Sequence, residues 1–128
     1  SIFGSLLRRC EERERIVMGK NKFLGKWRIC EMEHWDQDFI DAEVPGYISF
    51  SKDGMGEFQF GYVHGFMDCR YSDREGNEAV EFSWEGNDEM DQASGRGFAI
   101  IKDKKFSGHL FFHEGEDSEF KATQQKQA

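Results

Sequence analysis

FSWEGNDEMDQASGRGFAI, residues 82–100, sets two alternating runs of side chains on either side of four carboxylates, Glu85, Asp88, Glu89 and Asp91. Alternation with a period of two is the signature of a strand with one face buried. A calcium loop is the sharpest alternative for the acidic centre. Residues 85–91 lack the alternating Asp ligands and the closing bidentate Glu of an EF-hand. Gly95-Arg96-Gly97 does not open a helix, as a phosphate cradle requires, and close strand packing explains its glycines better. The segment therefore reads as a hairpin, strand–turn–strand, with a charged turn that resists edge-to-edge aggregation.

The same period extends in both directions. From Leu24 onward, apolar residues recur every second position, and turn signals arrive at short, regular intervals, as in all-β sandwiches and barrels. The expected strands are 26–35, 46–51, 55–62, 65–72, 78–85, 95–102, 105–113 and 117–123. Short connections make neighbouring strands antiparallel, and closing such a sheet removes its unpaired edges. The expected fold is an all-β, eight-stranded antiparallel up-and-down barrel with an N-terminal helix; a sandwich is the alternative. The organisation follows: residues 1–23 a basic amphipathic helix and linker, 24–123 the barrel domain, and 124–128 a disordered tail. The helix is placed at 3–17, where Phe3, Leu6, Leu7 and Cys10 form a stripe and Glu11 precedes Arg15 by four residues.

Alternation also assigns faces. Phe58, Phe60 and Tyr62 share one side of their strand, Val80, Phe82 and Trp84 another, and Phe106, Leu110 and Phe112 a third; these are expected inside. Phe98, Ile100 and Phe111 then point outward. Large apolar side chains clustered on an outer face call for a cover, either the N-terminal helix or a second copy of the chain in a homodimer. In the first strand, strict alternation from Trp27 and Ile29 places Glu31 and Glu33 inside, where an unpaired carboxylate is costly. A β-bulge near Cys30 would instead send Met32 inward, and a strand end at the barrel mouth would leave the acids wet. If neither operates, Glu31 and Glu33 are the ligand-contacting or acid–base candidates.

The segment FLGKWRI, residues 23–29, with Gly25-Lys26-Trp27 opening the first strand, resembles the Gly-x-Trp start of the calycins: lipocalins, fatty-acid-binding proteins and avidins. The longer runs GKWRICEMEHWDQDFID, GEFQFGYVHGFMDCR and EFSWEGNDEMDQASGRGFAI resemble a group of small bacterial proteins, over most of residues 24–122. The calycin resemblance implies a barrel plugged at one end by Trp27 and a small apolar or amphipathic ligand in its interior. Trp27, Phe58, Phe60 and Trp84 would then form the wall, with Glu31 and Glu33 as possible polar contacts. The rival reading is a barrel filled by its own thirteen Phe, acting as a protein-interaction or assembly module. An eight-stranded bore permits either. A third reading is an enzyme using Glu31 or Glu33.

Composition bounds these readings. The 128 residues have room for one core. The net charge of −8 is uneven, with residues 1–26 at +4 and residues 27–128 at −12. So acidic a body disfavours nucleic-acid binding, which rests on Lys and Arg neutralising phosphates. No apolar run is long enough to cross a bilayer. Cys10, Cys30 and Cys69 have no paired spacing, which fits a reducing, cytoplasmic setting. His109 and His113 share a strand face but stand about 13 Å apart, too far to ligate one metal. No metal or other cofactor is expected, and no nucleophile elbow, Walker loop or dinucleotide fingerprint is present, so a non-enzymatic role is favoured.

Overall fold

A computed structural model describes residues 22–124. The expected helix at 3–17, most of the 1–23 linker and residues 125–128 lie outside the described residues. Eight strands, β1 (Gly25–Met32), β2 (Tyr47–Phe50), β3 (Met55–Phe60), β4 (Val63–Arg74), β5 (Asn77–Asp88), β6 (Asp91–Lys102), β7 (Lys105–Phe112) and β8 (Asp117–Gln124), pair in chain order and close into one antiparallel barrel. β1 pairs with β8 to complete the ring, so each strand has a neighbour on both sides. The helix α1 (Gln37–Ile40) lies in the β1–β2 connection and is the one helix among the described residues.

The acidic segment is shorter as a turn than its composition suggests. Pairing runs through Glu85, Gly86 and Asn87 to Asp88↔Asp91, leaving Glu89 and Met90 as the turn. Glu89 takes the positive φ of 55° that so tight a reversal requires. The β4–β5 and β6–β7 connections are also two-residue reversals, at Glu75-Gly76 and Asp103-Lys104, and here both residues of each pair are left-handed. The mirror-image turns with two positive φ values match the twist of the strands they join.

β1 ends at Met32, not at 35, and it carries a bulge. Ile29 pairs with Ala122 and Glu31 with Lys121, so Cys30 is the extra residue. One inserted residue reverses the face of everything after it. Cys30 and Glu31 therefore both face solvent, and Met32 is buried. Beyond the strand, Asp36 caps α1 by accepting the Phe39 N–H at 2.9 Å. The chain is tied down where it returns: Asp41 receives both guanidinium nitrogens of Arg28 at 2.6 Å and the Gly46 N–H at 2.9 Å. That bidentate pair holds the Asp41 carboxyl well below the usual carboxylate range.

Aromatic rings fill the barrel by lying over glycines on the adjacent strand. The register pairs Phe58 with Gly65, Trp84 with Gly95, Phe82 with Gly97 and Phe120 with Gly108. A β-carbon added at Gly97 would stand 2.3 Å from the Phe82 ring, and one at Gly65 2.5 Å from the Phe58 ring. Alternating large and small residues across strands is how a small barrel packs without voids. Gly95-Arg96-Gly97 is thus close strand packing.

Two ring clusters close the ends. Phe23 meets Phe50 and Phe106 at 5.4 and 5.5 Å, and the Trp27 ring lies 4.9 Å from Phe106. At the other end Trp35 packs on Phe39, Phe60 and Phe112. Tyr62 corrects an expectation: it is 42 % exposed, not inside. Gly61 and Tyr62 form the β3–β4 turn, and Val63 takes the inward position. Tyr62 packs edge-on against Phe39 instead.

Candidate functional site

The residues expected to wall an interior ligand are all inside, and three of them pack together. Phe58 meets Phe60 at 6.0 Å and Trp84 at 5.1 Å between ring centroids. Trp27 belongs to the opposite end, with its indole N–H donating to the Phe23 carbonyl at 2.8 Å. A space large enough for an organic ligand also admits water, so its walls would be water-accessible. Trp27, Phe58, Phe60 and Trp84 are 4, 1, 0 and 3 % accessible.

Glu31 and Glu33 do not share a site with these rings. Both lie on the outer surface: Glu31 is 3.4 Å from the Lys121 ammonium, and Glu33 accepts the Glu119 N–H at 3.4 Å. The bulge at Cys30 is the physical reason, and it removes the cost of burying either acid. His109 pairs with Asp117 of β8, and His64 with Glu57 of β3 at 3.0 Å. Among the described residues no three His, Cys, Asp or Glu side chains converge as a metal would need.

A concave feature lies on the outside, across β4–β7. Its volume is about 1000 Å³, and its lining includes Asp68, Arg70, Ser83, Arg96, Phe98 and Phe111. Register explains the shape. One row across the sheet runs Asp68–Ser83–Arg96–Phe111, and the next runs Arg70–Glu81–Phe98–His109. The small hydroxyl side chains of Ser83 and Ser94 form the floor, and the long side chains on either side form the rim. Phe98 and Phe111, expected to point outward, do so at 37 and 39 % exposure, and Phe66 on β4 is 52 % exposed. Ile100 also lies on this outer face and is half-buried. His109 stacks against both rings, 4.5 Å from Phe111 and 6.0 Å from Phe98, which lie 6.2 Å from each other.

Charge in the groove is partly neutralised from within. Arg74 pairs with Glu81 at 2.9 Å and lies 5.7 Å from the centroid of the Phe98 ring. Arg70 and Arg96 have no carboxylate within ion-pair distance among the described residues. These arginines, Ser83 and Asp68 were not singled out by reading the sequence as candidate site residues. The available signal was alternation: Asp68, Arg70 and Ser83 each sit next to an inward Met67, Cys69 or Phe82, and Arg96 sits two residues from outward Phe98. Which of them share a row depends on register between strands. No family model matches the chain, and neither does any curated protein or solved structure.

Proposed function

We propose that the protein is a peptide-binding module: a barrel filled by its own rings, presenting the outer groove across β4–β7 to a segment of a partner protein. The observation that carries this reading is the contrast between interior rings in mutual contact and Phe98 and Phe111 exposed in the lining of a concavity. Exposed aromatic and arginine side chains clustered on a monomer surface are the usual composition of interaction hot spots. The groove is open and floored by a sheet, whereas small-molecule sites enclose most of their ligand's surface. An extended segment laid across the strands can place apolar side chains against Phe98 and Phe111 at once.

The buried Trp27 at one barrel end, bonded to the Phe23 carbonyl, supports a calycin-like relationship for the scaffold. In this proposal the calycin interior is used for packing. A small ligand walled by Trp27, Phe58, Phe60 and Trp84 would require the rings to part.

The test is peptide selection from a phage-displayed library, with the purified protein as bait. Enriched peptides are expected to lose binding to Phe98→Ser and Phe111→Ser variants whose melting temperatures match the parent's. Peptides indifferent to both substitutions would overturn the proposal. So would a small molecule retained in native mass spectrometry and released only on unfolding.

A further inference from the structure

Seven of the eleven Lys and Arg among residues 22–124 have neither an ion-pair partner nor a ring beneath them. Five are lysines at turns or before β1: Lys22, Lys52, Lys102, Lys104 and Lys105. The other two are Arg70 and Arg96, which stand mid-strand in the groove. The same residues carry twenty-two Asp and Glu, so acidic side chains are plentiful around the barrel. Two guanidinium groups without a carboxylate in this setting are donors waiting for an acceptor from outside.

Their placement is convergent. Arg70 is on β4 and Arg96 on β6, with β5 between them and an offset of two residues along the strands. Strand spacing and rise put their α-carbons about 12 Å apart. Side chains of this length can meet over Ser83, which lies in the row between Asp68 and Arg96 and supplies a hydroxyl donor. Phe111 is the cross-strand neighbour of Arg96 and Phe98 stands two residues along β6 on the same face, so an apolar wall adjoins the Arg96 guanidinium, while Glu81, paired with Arg74, stands between Phe98 and Arg70.

We infer that the groove selects a segment carrying one carboxylate flanked by apolar or aromatic side chains, gripped by Arg70 and Arg96 and stacked on Phe98 and Phe111. This rests on the peptide-binding reading above and names its specificity. Guanidinium matches carboxylate in a planar, two-bond geometry that lysine lacks, which suits arginine to this task. Asp68, two residues from Arg70 along β4, and Glu81, opposite Arg70 on β5, limit the ligand to a single negative charge. A second carboxylate would meet them and the acidic body.

The experiment is a nuclear magnetic resonance titration of isotope-labelled protein at about 0.15 M salt, where long-range repulsion is screened within about 8 Å. The probes are the capped pentapeptide Gly-Phe-Glu-Phe-Gly and its counterpart with Gln in place of Glu. The Glu peptide is expected to shift amide resonances of Ser83, Ser94, Arg96 and Phe98 and to bind about tenfold more tightly, as one charge-assisted hydrogen bond would give. That preference should fall to near one in Arg96→Gln and turn toward a Lys-containing peptide in Arg96→Glu. Arg96 is exposed, so both variants should keep the parent spectrum elsewhere. Equal binding of the Glu and Gln peptides in the groove would overturn the inference while leaving the peptide-binding reading intact. Groove resonances unmoved by either peptide would overturn both.

Discussion

Replacing Trp27 with alanine tests whether the barrel end is a packed plug. The indole is 4 % exposed, lies 4.9 Å from Phe106 and donates to the Phe23 carbonyl. A buried aromatic removes ~150–250 Å² from water, which at ~25 cal/mol per Å² corresponds to ~4–6 kcal/mol. Measured large-to-small substitutions cluster at ~3–5 kcal/mol, because the surroundings partly relax into the cavity. The expected loss is therefore ~3–5 kcal/mol, which lowers the melting temperature by roughly 12–20 °C for a domain of this size. Trp27→Phe keeps most of the ring and loses the donor to Phe23, for ~1–2 kcal/mol. Urea unfolding followed by far-ultraviolet circular dichroism measures both. An alanine variant losing less than ~1 kcal/mol would show that the indole is not packed as described. Equal losses for Phe and Ala would place the whole effect in the hydrogen bond.

Asp41→Asn should cost ~1–2 kcal/mol at neutral pH, since it breaks a partly solvated bidentate pair with Arg28. Because the folded carboxyl titrates below its unfolded value of about 3.9, its contribution is present above that pH and fades as pH falls through the folded value. Denaturant curves of parent and variant should stay a constant distance apart from about pH 7 to 5 and approach each other below about pH 4; a gap that widens in acid would refute the assignment. Gly95→Ala should destabilise strongly, by ~1–3 kcal/mol or more, because its new methyl group would overlap the Phe111 carbonyl oxygen and approach the Trp84 indole nitrogen at 2.8 Å. A folded, fully stable Gly95→Ala variant would contradict the β6–β7 contact. Burial pushes the Cys69 thiol up to about 12, so iodoacetamide at neutral pH should label exposed Cys30 and spare Cys69 until the chain is unfolded, as peptide mapping would show.

The strands were legible because local sequence determines alternation. Phe58 and Phe60, Phe82 and Trp84, and Phe106 and Leu110 are each two or four apart, and the backbone pleat sends each group to one side whatever its partners are. The outward positions of Phe98 and Phe111 follow by the same rule. Tyr62 escaped it because Gly61-Tyr62 is a two-residue reversal, and alternation stops where the strand does. Glu31 and Glu33 escaped it because the bulge at Cys30 is a mismatch between β1 and β8, which stand some ninety residues apart in sequence. The weighing of a bulge against two buried acids came from β1 alone; only its pairing with β8 decides between them. The short helix α1 was hidden because four residues carry too little periodicity to register.

Side-chain period, turn residues and charge counts along one chain specify an antiparallel all-β domain, its inward aromatic set apart from Tyr62, and its acidic body. Only pairing between strands fixes that the sheet closes through β1 and β8, that the rings of Phe58, Phe82, Trp84 and Phe120 lie over glycines of adjacent strands, and that Arg70, Ser83, Arg96, Phe98 and Phe111 share one groove. These are facts of register. A slip of one residue between two strands would preserve every local pattern, yet it would turn each side chain of the slipped strand to the other face. Whether a ring meets a glycine or another ring, and whether two arginines converge or diverge, is set by hydrogen-bonded pairing among strands that no single stretch of sequence contains.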